Sequence, residues 1–138
     1  MQQKIKFYIN LDSLLINEAF AKKINSVFIE SMKYMQLKWS KLFDLYFYGE
    51  SADNIDDMNI LLKYEVIDKP EIPTQINKLY YLLDDNFDFL CAWERAGGKA
   101  IAYIDYLLPN EQWSGLKLKE NMNTEEMINA LRHIMHLY

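Results

Sequence analysis

Two short segments carry the side chains of this sequence that are best suited to chemistry. Asn10 and Asp12 stand two residues apart after the apolar run 6–9, and in an extended chain that spacing puts both side chains on one face. Asp84 and Asp85 follow a second apolar run, 78–83. Carboxylate and amide oxygens are the ligands that Mg²⁺ prefers. If the two segments meet in the fold, their side chains are predicted to form an oxygen-rich pocket that binds a magnesium ion through Asn10, Asp12, Asp84 and Asp85.

The runs that precede these polar residues predict strands of one parallel sheet. Both are short, apolar and rich in aromatic residues. Predicted strands alternate with predicted helices along the chain, which is typical of a parallel sheet covered on both faces. The carboxyl ends of parallel strands lie at one edge of the sheet, where open α/β folds build their sites. We therefore expect the four polar side chains to converge there.

The remaining patterns complete an α/β fold. Further strands are predicted at 42–48, 60–67 and 99–104, and helices at 15–39, 53–58, 87–96 and from 123 onwards. Ser13 is a candidate N-cap for the first helix, Gly97 and Gly98 end the third, and Asn123 with Glu126 forms a capping box for the last. Residues 107–120 are expected to be irregular. The prediction is a single domain over 1–138, a Rossmann-like three-layer sandwich with a mainly parallel five-stranded sheet.

A purely structural interpretation of the same polar residues is open. Asn10 and Asp12 could end the strand and cap the next helix. Asp84 or Asp85 could cap the helix that follows, where free N–H groups and the helix dipole favour a carboxylate. We expect one of these two acids to cap that helix and the other to remain available to the pocket.

Composition limits the classes of partner. Fifteen Lys and Arg against 20 Asp and Glu give a net charge of −5, so a nucleic-acid partner is not expected. No apolar run has the length of a membrane span, and the first residues lack the layout of a signal peptide. The one cysteine, Cys91, predicts a reducing, cytoplasmic environment. Surplus aromatic residues favour a protein partner or a homodimer, with Trp113 and Tyr138 expected to be exposed or to meet a second subunit.

Residues 80–104 resemble the fourth motif of the haloacid dehalogenase-like (HAD) superfamily of phosphohydrolases. The shared pattern is a strand, paired acids, a helix that ends in Ala-Gly, and the next strand. Residues 7–15, FYINLDSLL, fall where that family has its first motif, Asp-x-Asp. The resemblance spans most of residues 4–105 and is closest to small 5′(3′)-deoxyribonucleotidase-like and phage-type members. It implies a HAD-like fold without a large cap domain, in a phage or bacterial protein.

The resemblance also implies a role for each acidic position. The nucleophilic aspartate of the family falls on Asn10, and the general acid/base falls on Asp12. The metal-binding acid falls on Asp84 or Asp85. The Gly-Thr pair that follows the first motif in the family is Ser13-Leu14 here, which is a departure from the pattern.

Two further roles fall in the middle of the chain, where the resemblance is weakest. The hydroxyl that holds the phosphate in the family corresponds to Ser51. The lysine that balances charge around the phosphoryl group corresponds to Lys78, which stands just before the fourth predicted strand. Lys63 and Lys69 are the weaker alternatives for that lysine.

Asn10 changes the chemistry that the resemblance implies. The reaction of the family requires a carboxylate oxygen to attack phosphorus, and an amide oxygen is neutral and much less nucleophilic. Loss of a covalent nucleophile typically lowers the rate by several orders of magnitude. The resemblance, with Asn10 at the nucleophile position, therefore implies a catalytically degenerate, HAD-like pseudophosphatase that binds a protein partner or a phosphorylated ligand. The alternatives are a weak magnesium-dependent phosphohydrolase of the nucleotidase type, in which Asp12 or water acts, and a purely structural α/β interaction protein.

Overall fold

A six-stranded parallel sheet forms the centre of the protein in the computed structural model, which describes residues 4–18, 21–39, 42–50, 63–104, 113 and 115–137. The described strands are β1 (Ile5–Asn10), β2 (Leu15–Glu18), β3 (Ala21–Ile24), β4 (Phe43–Tyr48), β5 (Glu65–Val66), β6 (Tyr80–Asp84), β7 (Lys99–Ile104) and β8 (Leu116–Lys119). Strands β2 and β3 form a separate antiparallel hairpin, and the others form the sheet in the order β5-β4-β1-β6-β7-β8.

Helices cover both faces of this sheet. The described helices are α1 (Ser26–Lys38), α2 (Phe87–Arg95) and α3 (Thr124–Ile134), and a 3-10 turn (Leu11–Leu14) follows β1. Helices α1 and α3 pack against each other on one face, and α2 packs on β6 and β7 on the other. This arrangement confirms the predicted α/β class and the three-layer, Rossmann-like sandwich.

The sheet is doubly wound. Counted in chain order, its six strands lie in the order 3-2-1-4-5-6, so the chain begins at β1 in the middle, builds outwards to β5, and then returns to β6 on the other side of β1. Ligands of such sheets bind outside the carboxyl ends of the strands at the point where the order reverses. In this protein that point lies between β1 and β6.

Two apolar cores fix the strands in this order. Alternate residues of β1 are fully buried on the face covered by α1 and α3, as the pleat of a strand with one buried face requires. The core on that face includes Ile5, Phe7, Ile9, Phe28, Met32, Met127 and Leu131. The core on the other face includes Leu82, Leu90, Trp93, Ala100 and Ala102. The opposite side chains of β1 at positions 6, 8 and 10 are only half-buried on this second face.

The predicted helix 15–39 is wrong in its first half. The chain instead forms the 3-10 turn and the β2–β3 hairpin, and helix begins at Ser26. Asn25, rather than Ser13, is the N-cap, because its Oδ1 accepts the Val27 N–H at 3.0 Å. Its buried Nδ2 donates to the Tyr103 hydroxyl at 2.7 Å. Short apolar runs have no period that separates strand from helix, so this exchange could not be read from spacing.

The strand count also differs from the prediction. Strand β8 lies within the stretch 107–120 that was expected to be irregular, and it raises the count from five to six. Its alternating Leu and Lys residues are typical of an edge strand with one solvated face. Of the predicted strand 60–67, the described part contains only β5. The predicted helix 53–58 lies outside the described residues.

Trp113 is buried, contrary to the expectation of an exposed aromatic residue. Its side chain is 4% exposed, its Nε1–H donates to the Leu116 carbonyl at 2.9 Å, and its ring stacks on Phe87. Burial of a tryptophan with its N–H satisfied is ordinary core packing. Tyr138 lies outside the described residues.

The predicted helix ends are confirmed. Gly97 follows the last turn of α2 with a φ of 112°, a left-handed conformation that favours glycine. Asn123 and Glu126 form both hydrogen bonds of the capping box at the start of α3. These local signals hold because they depend on neighbouring residues only.

Candidate functional site

Three neighbouring strands end in polar side chains on the same face of the sheet. Asn10 ends β1, Tyr48 ends β4 beside it, and Asp84 ends β6 on the other side. The Asn10 Nδ2 lies 3.3 Å from Asp84 Oδ1, and the Tyr48 hydroxyl lies 2.6 Å from Asp84 Oδ2. The reversal of strand order between β1 and β6 therefore brings these groups into direct contact.

A cavity of about 870 Å³ opens at this edge. Its described lining consists of residues 10, 12, 48–50, 66–69 and 84–86. The predicted positions Asn10, Asp12, Asp84 and Asp85 all belong to this lining, so the structure brings them together. The cavity lies at the switch point of the sheet, which is where a doubly wound fold places its ligands.

Asp84 is the buried centre of the site, with 2% of its surface exposed. Its Oδ1 accepts the backbone N–H groups of Asp85 at 2.7 Å and Asn86 at 3.0 Å in addition to the Asn10 amide. Its Oδ2 accepts the Tyr48 hydroxyl. A carboxylate that leaves water is stable in a protein only if such donors replace its hydration. Four donors do so here.

Tyr48 is a site residue that the sequence interpretation did not single out. Burial raises the pKa of its hydroxyl, and the neighbouring Asp84 carboxylate raises it further. The hydroxyl therefore stays protonated and donates to Asp84. The signal that could have found it is its place as the last residue of the run 42–48, level with Asn10 in the sheet.

The orientation of the Asn10 side chain follows from its two hydrogen bonds. Its Oδ1 accepts the backbone N–H of Asp12 at 3.0 Å, which leaves the Nδ2 to face Asp84. The amide thus uses its oxygen to hold the start of the 3-10 turn and its nitrogen to hold the acid of the neighbouring strand. This bridging role goes beyond the expectation that Asn10 only ends the strand.

Gly49 lets the end of β4 approach these groups closely. Its φ is 107°, and a Cβ at this position would lie 2.8 Å from Asn10 Oδ1 and 2.7 Å from Asp12 Oδ2. The next residue, Glu50, donates its backbone N–H to the same Asp12 oxygen at 3.0 Å. Only glycine meets both the conformation and the space.

Asp85 stands beside Asp84 and is tied to the turn after β1. The Ser13 hydroxyl donates to its Oδ1 at 3.0 Å. Partial burial raises the pKa of the Asp85 carboxyl, and the adjacent Asp84 also raises it, whereas the Ser13 hydrogen bond lowers it. Neither acid caps α2, contrary to expectation. Asn86 is the N-cap and accepts the Phe89 N–H at 3.1 Å.

The polar groups of the site, as they are arranged, do not fit a bound magnesium ion. Both oxygens of Asp84 are engaged by N–H and O–H donors, and the Asn10 oxygen is engaged by a backbone N–H. Among the described residues, no group of three or more His, Cys, Asp and Glu side chains is placed to hold a metal ion. Magnesium stays a prediction from the sequence without support from this geometry.

The other predicted site residues lie elsewhere. Lys78 is exposed and precedes β6, so it lies at the opposite end of that strand from Asp84 and does not line the cavity. Lys63 bonds through its backbone to the Gln36 side chain. Lys69 does line the cavity, with its Nζ 4.3 Å from the centre of the Phe89 ring. Ser51 lies outside the described residues.

The fold and site define a doubly wound α/β protein with an acid-rich pocket at its switch point. Comparison with protein-family models, curated proteins and solved structures finds no match for this chain. In the part of the chain that the structure describes, no helix combines the length and apolar character needed to cross a membrane. The resemblance to the HAD superfamily therefore rests on the motifs at residues 7–15 and 80–104 alone.

Removing the Tyr48 hydroxyl should destabilise the protein. Tyr48→Phe leaves Oδ2 of the buried Asp84 without its donor, and we expect the free energy of unfolding to fall by about 1–3 kcal/mol. Urea denaturation measures this change. Tyr46→Phe is the matched control, because Tyr46 lies on the same face of β4 but is only half-buried, and the substitution keeps its ring stack on Tyr8. Equal losses in the two variants would contradict the assigned role.

Replacing Asp85 should change how stability depends on pH. The pKa of the Asp85 carboxyl is higher in the folded than in the unfolded chain. The free energy of unfolding therefore falls as the pH rises from the ordinary aspartate range through the folded-state pKa of Asp85. Asp85→Asn removes this loss, so the variant should gain more stability over the native chain at neutral pH than at about pH 3.5. Thermal unfolding at both pH values tests this.

Asp68→Asn removes one negative charge from the same pocket and controls for general repulsion. If it reproduces the pH-dependent gain of Asp85→Asn, the gain does not come from the Asp84–Asp85 pair.

Proposed function

We propose that this protein is a catalytically silent, HAD-like pseudophosphatase that acts by binding a partner at its switch-point pocket. The observation that carries the proposal is the Asn10 amide. At the position where the resemblance implies a nucleophilic carboxylate, the chain has a neutral side chain that donates a hydrogen bond to Asp84. A group that serves as a donor to its neighbouring acid is arranged for holding structure rather than for attack on phosphorus.

The rest of the pocket supports binding without turnover. Asp12, the position of the general acid/base in the resemblance, accepts the Glu50 N–H through Oδ2 and holds the end of β4. Lys78 stands away from the cavity. The residues that the family's chemistry would need are thus replaced, used in structural hydrogen bonds, or positioned elsewhere, whereas the cavity itself is formed.

The charge of the pocket favours a cationic partner group over a phosphate. Its described lining contains five acids and one lysine: Asp12, Glu50, Asp68, Asp84, Asp85 and Lys69. Such a lining attracts positive charge and repels a phosphoryl group. Of the two ligand classes that the sequence predicts, we therefore favour a protein partner that inserts a lysine or arginine side chain. A phosphorylated ligand would have Lys69 as its one basic contact in the described lining.

The silenced nucleophile is tested by restoring it. Phosphomonoesterase activity of the native chain and of Asn10→Asp should be measured side by side, with and without Mg²⁺. We expect no native turnover above the background of Asp12→Ala, and Mg²⁺-dependent turnover above that background in Asn10→Asp, at a low rate because Lys78 stays away from the cavity. Native activity that requires Asp12 would contradict the proposal and establish a weak phosphohydrolase instead.

The partner class is tested by binding. A lysine- and arginine-rich peptide should bind the native chain, with affinity that falls as salt is raised, because charge attraction is screened. Binding measured by fluorescence anisotropy should weaken at least several-fold in Glu50→Gln combined with Asp68→Asn, and should persist in the control Glu30→Gln on α1. Tighter binding of an acidic phosphopeptide, lost in Lys69→Ala, would contradict the choice of a cationic partner.

A further inference from the structure

We infer that the Asn10 side-chain amide takes the place of a divalent cation at Asp84, so that the pocket is complete without a metal ion. The inference rests on the site of the proposed function and adds to it that binding there is independent of divalent cations. It is drawn from the hydrogen bonds of Asp84 and from the charges of the surrounding residues.

Negative charge is concentrated at the ends of β1 and β6. Asp84 is buried, Asp85 is adjacent, and Asp12 lies in the turn after β1. Carboxylates brought together in this way need a counter-charge or an equivalent set of donors, since otherwise one of them takes up a proton. A divalent cation is a common solution in proteins.

This protein supplies donors instead. An ionised carboxylate accepts at about four lone-pair positions, and Asp84 has four donors. Two of them are the backbone N–H groups of Asp85 and Asn86, one is the Tyr48 hydroxyl, and one is the Asn10 Nδ2. Three of these donors share Oδ1 and one binds Oδ2, so a cation that bound Oδ1 would have to displace one of its three donors.

Of the four donors, Asn10 is the one that determines whether the site needs a metal ion. Its Nδ2 is the longest of the four contacts, at 3.3 Å, and comes from the strand on the far side of the switch point. Exchange of that amide for a carboxylate would place two acids face to face at this separation. Two such oxygens repel each other unless a cation lies between them or one of the two acids takes up a proton. We therefore expect that exchange of one side-chain atom of Asn10, the amide nitrogen for a carboxylate oxygen, turns a pocket that needs no metal ion into one that requires it.

The experiment compares melting temperatures of the native chain, Asn10→Asp and Asn10→Ala in EDTA, Mg²⁺ and Ca²⁺ at constant ionic strength. The melting temperature of the native chain should not change between the three solutions, and neither should that of Asn10→Ala. Asn10→Asp should melt lower than the native chain in EDTA and should recover by roughly 5 °C in millimolar Mg²⁺ or Ca²⁺, because a ligand stabilises the state that it binds.

Two results would overturn the inference. One is a saturable rise of the native melting temperature with Mg²⁺ that disappears in Asp84→Asn, which would show that the native site already takes a metal. The other is a folded Asn10→Asp variant that does not respond to either cation. These readouts need no substrate or partner, so they can fail while the proposed function stands, and the activity and peptide assays can fail while this inference stands.

A further variant keeps the test decisive if Asn10→Asp does not fold in EDTA. Folding on addition of Mg²⁺, followed by far-ultraviolet circular dichroism, would support the inference. The double variant Asn10→Asp with Asp84→Asn restores one amide and one carboxylate across the strands, and it should fold without a cation and show no response to Mg²⁺. A double variant that also requires Mg²⁺ would overturn the inference.

Discussion

The burial of the Asp84 carboxylate is the constraint on which the site depends. An ionised group that leaves water must regain its hydrogen bonds inside the protein, and at 2% exposure water can supply little. The donors come from the ends of β1 and β4 and from the turn into α2. They meet only because β1 lies between β4 and β6 in a parallel sheet. The hydrogen bonds of the site therefore require this order of strands in the sheet.

The same hydrogen bonds give the polar side chains of the pocket structural roles that need no catalytic chemistry. Asn10 holds Asp84 and the 3-10 turn, Asp12 holds the end of β4, and Ser13 holds Asp85. Each side chain thus supports an element that shapes the cavity. Acids with such structural roles do not by themselves indicate an enzyme. Asn10 stabilises the site through a neutral amide, whose oxygen is a much weaker nucleophile than a carboxylate oxygen.

Much of the fold and the central part of the site could be predicted from local patterns. The ends of runs 6–9 and 78–83 placed Asn10, Asp12, Asp84 and Asp85 at one sheet edge, and the capping box at Asn123 needed only its neighbours. The β2–β3 hairpin and β8 could not be predicted, since short apolar or Leu-Lys runs take their structure from tertiary pairing. Tyr48 was missed as a pocket residue, and Lys69 was ranked below Lys78, because strand order, which no local pattern contains, determines what lies beside β1.

The most direct measurement of the central claim is the NMR signal of the Asn10 side-chain amide, assigned by its loss in Asn10→Ala. An amide that bridges to a buried carboxylate should show one proton shifted downfield by its hydrogen bond and slow exchange with solvent, with no change between EDTA and millimolar Mg²⁺. Protons at the shifts of an exposed asparagine amide that exchange rapidly would show that the bridge to Asp84 is not formed. A shift that follows Mg²⁺ and saturates would show that a cation, rather than the amide, completes the site.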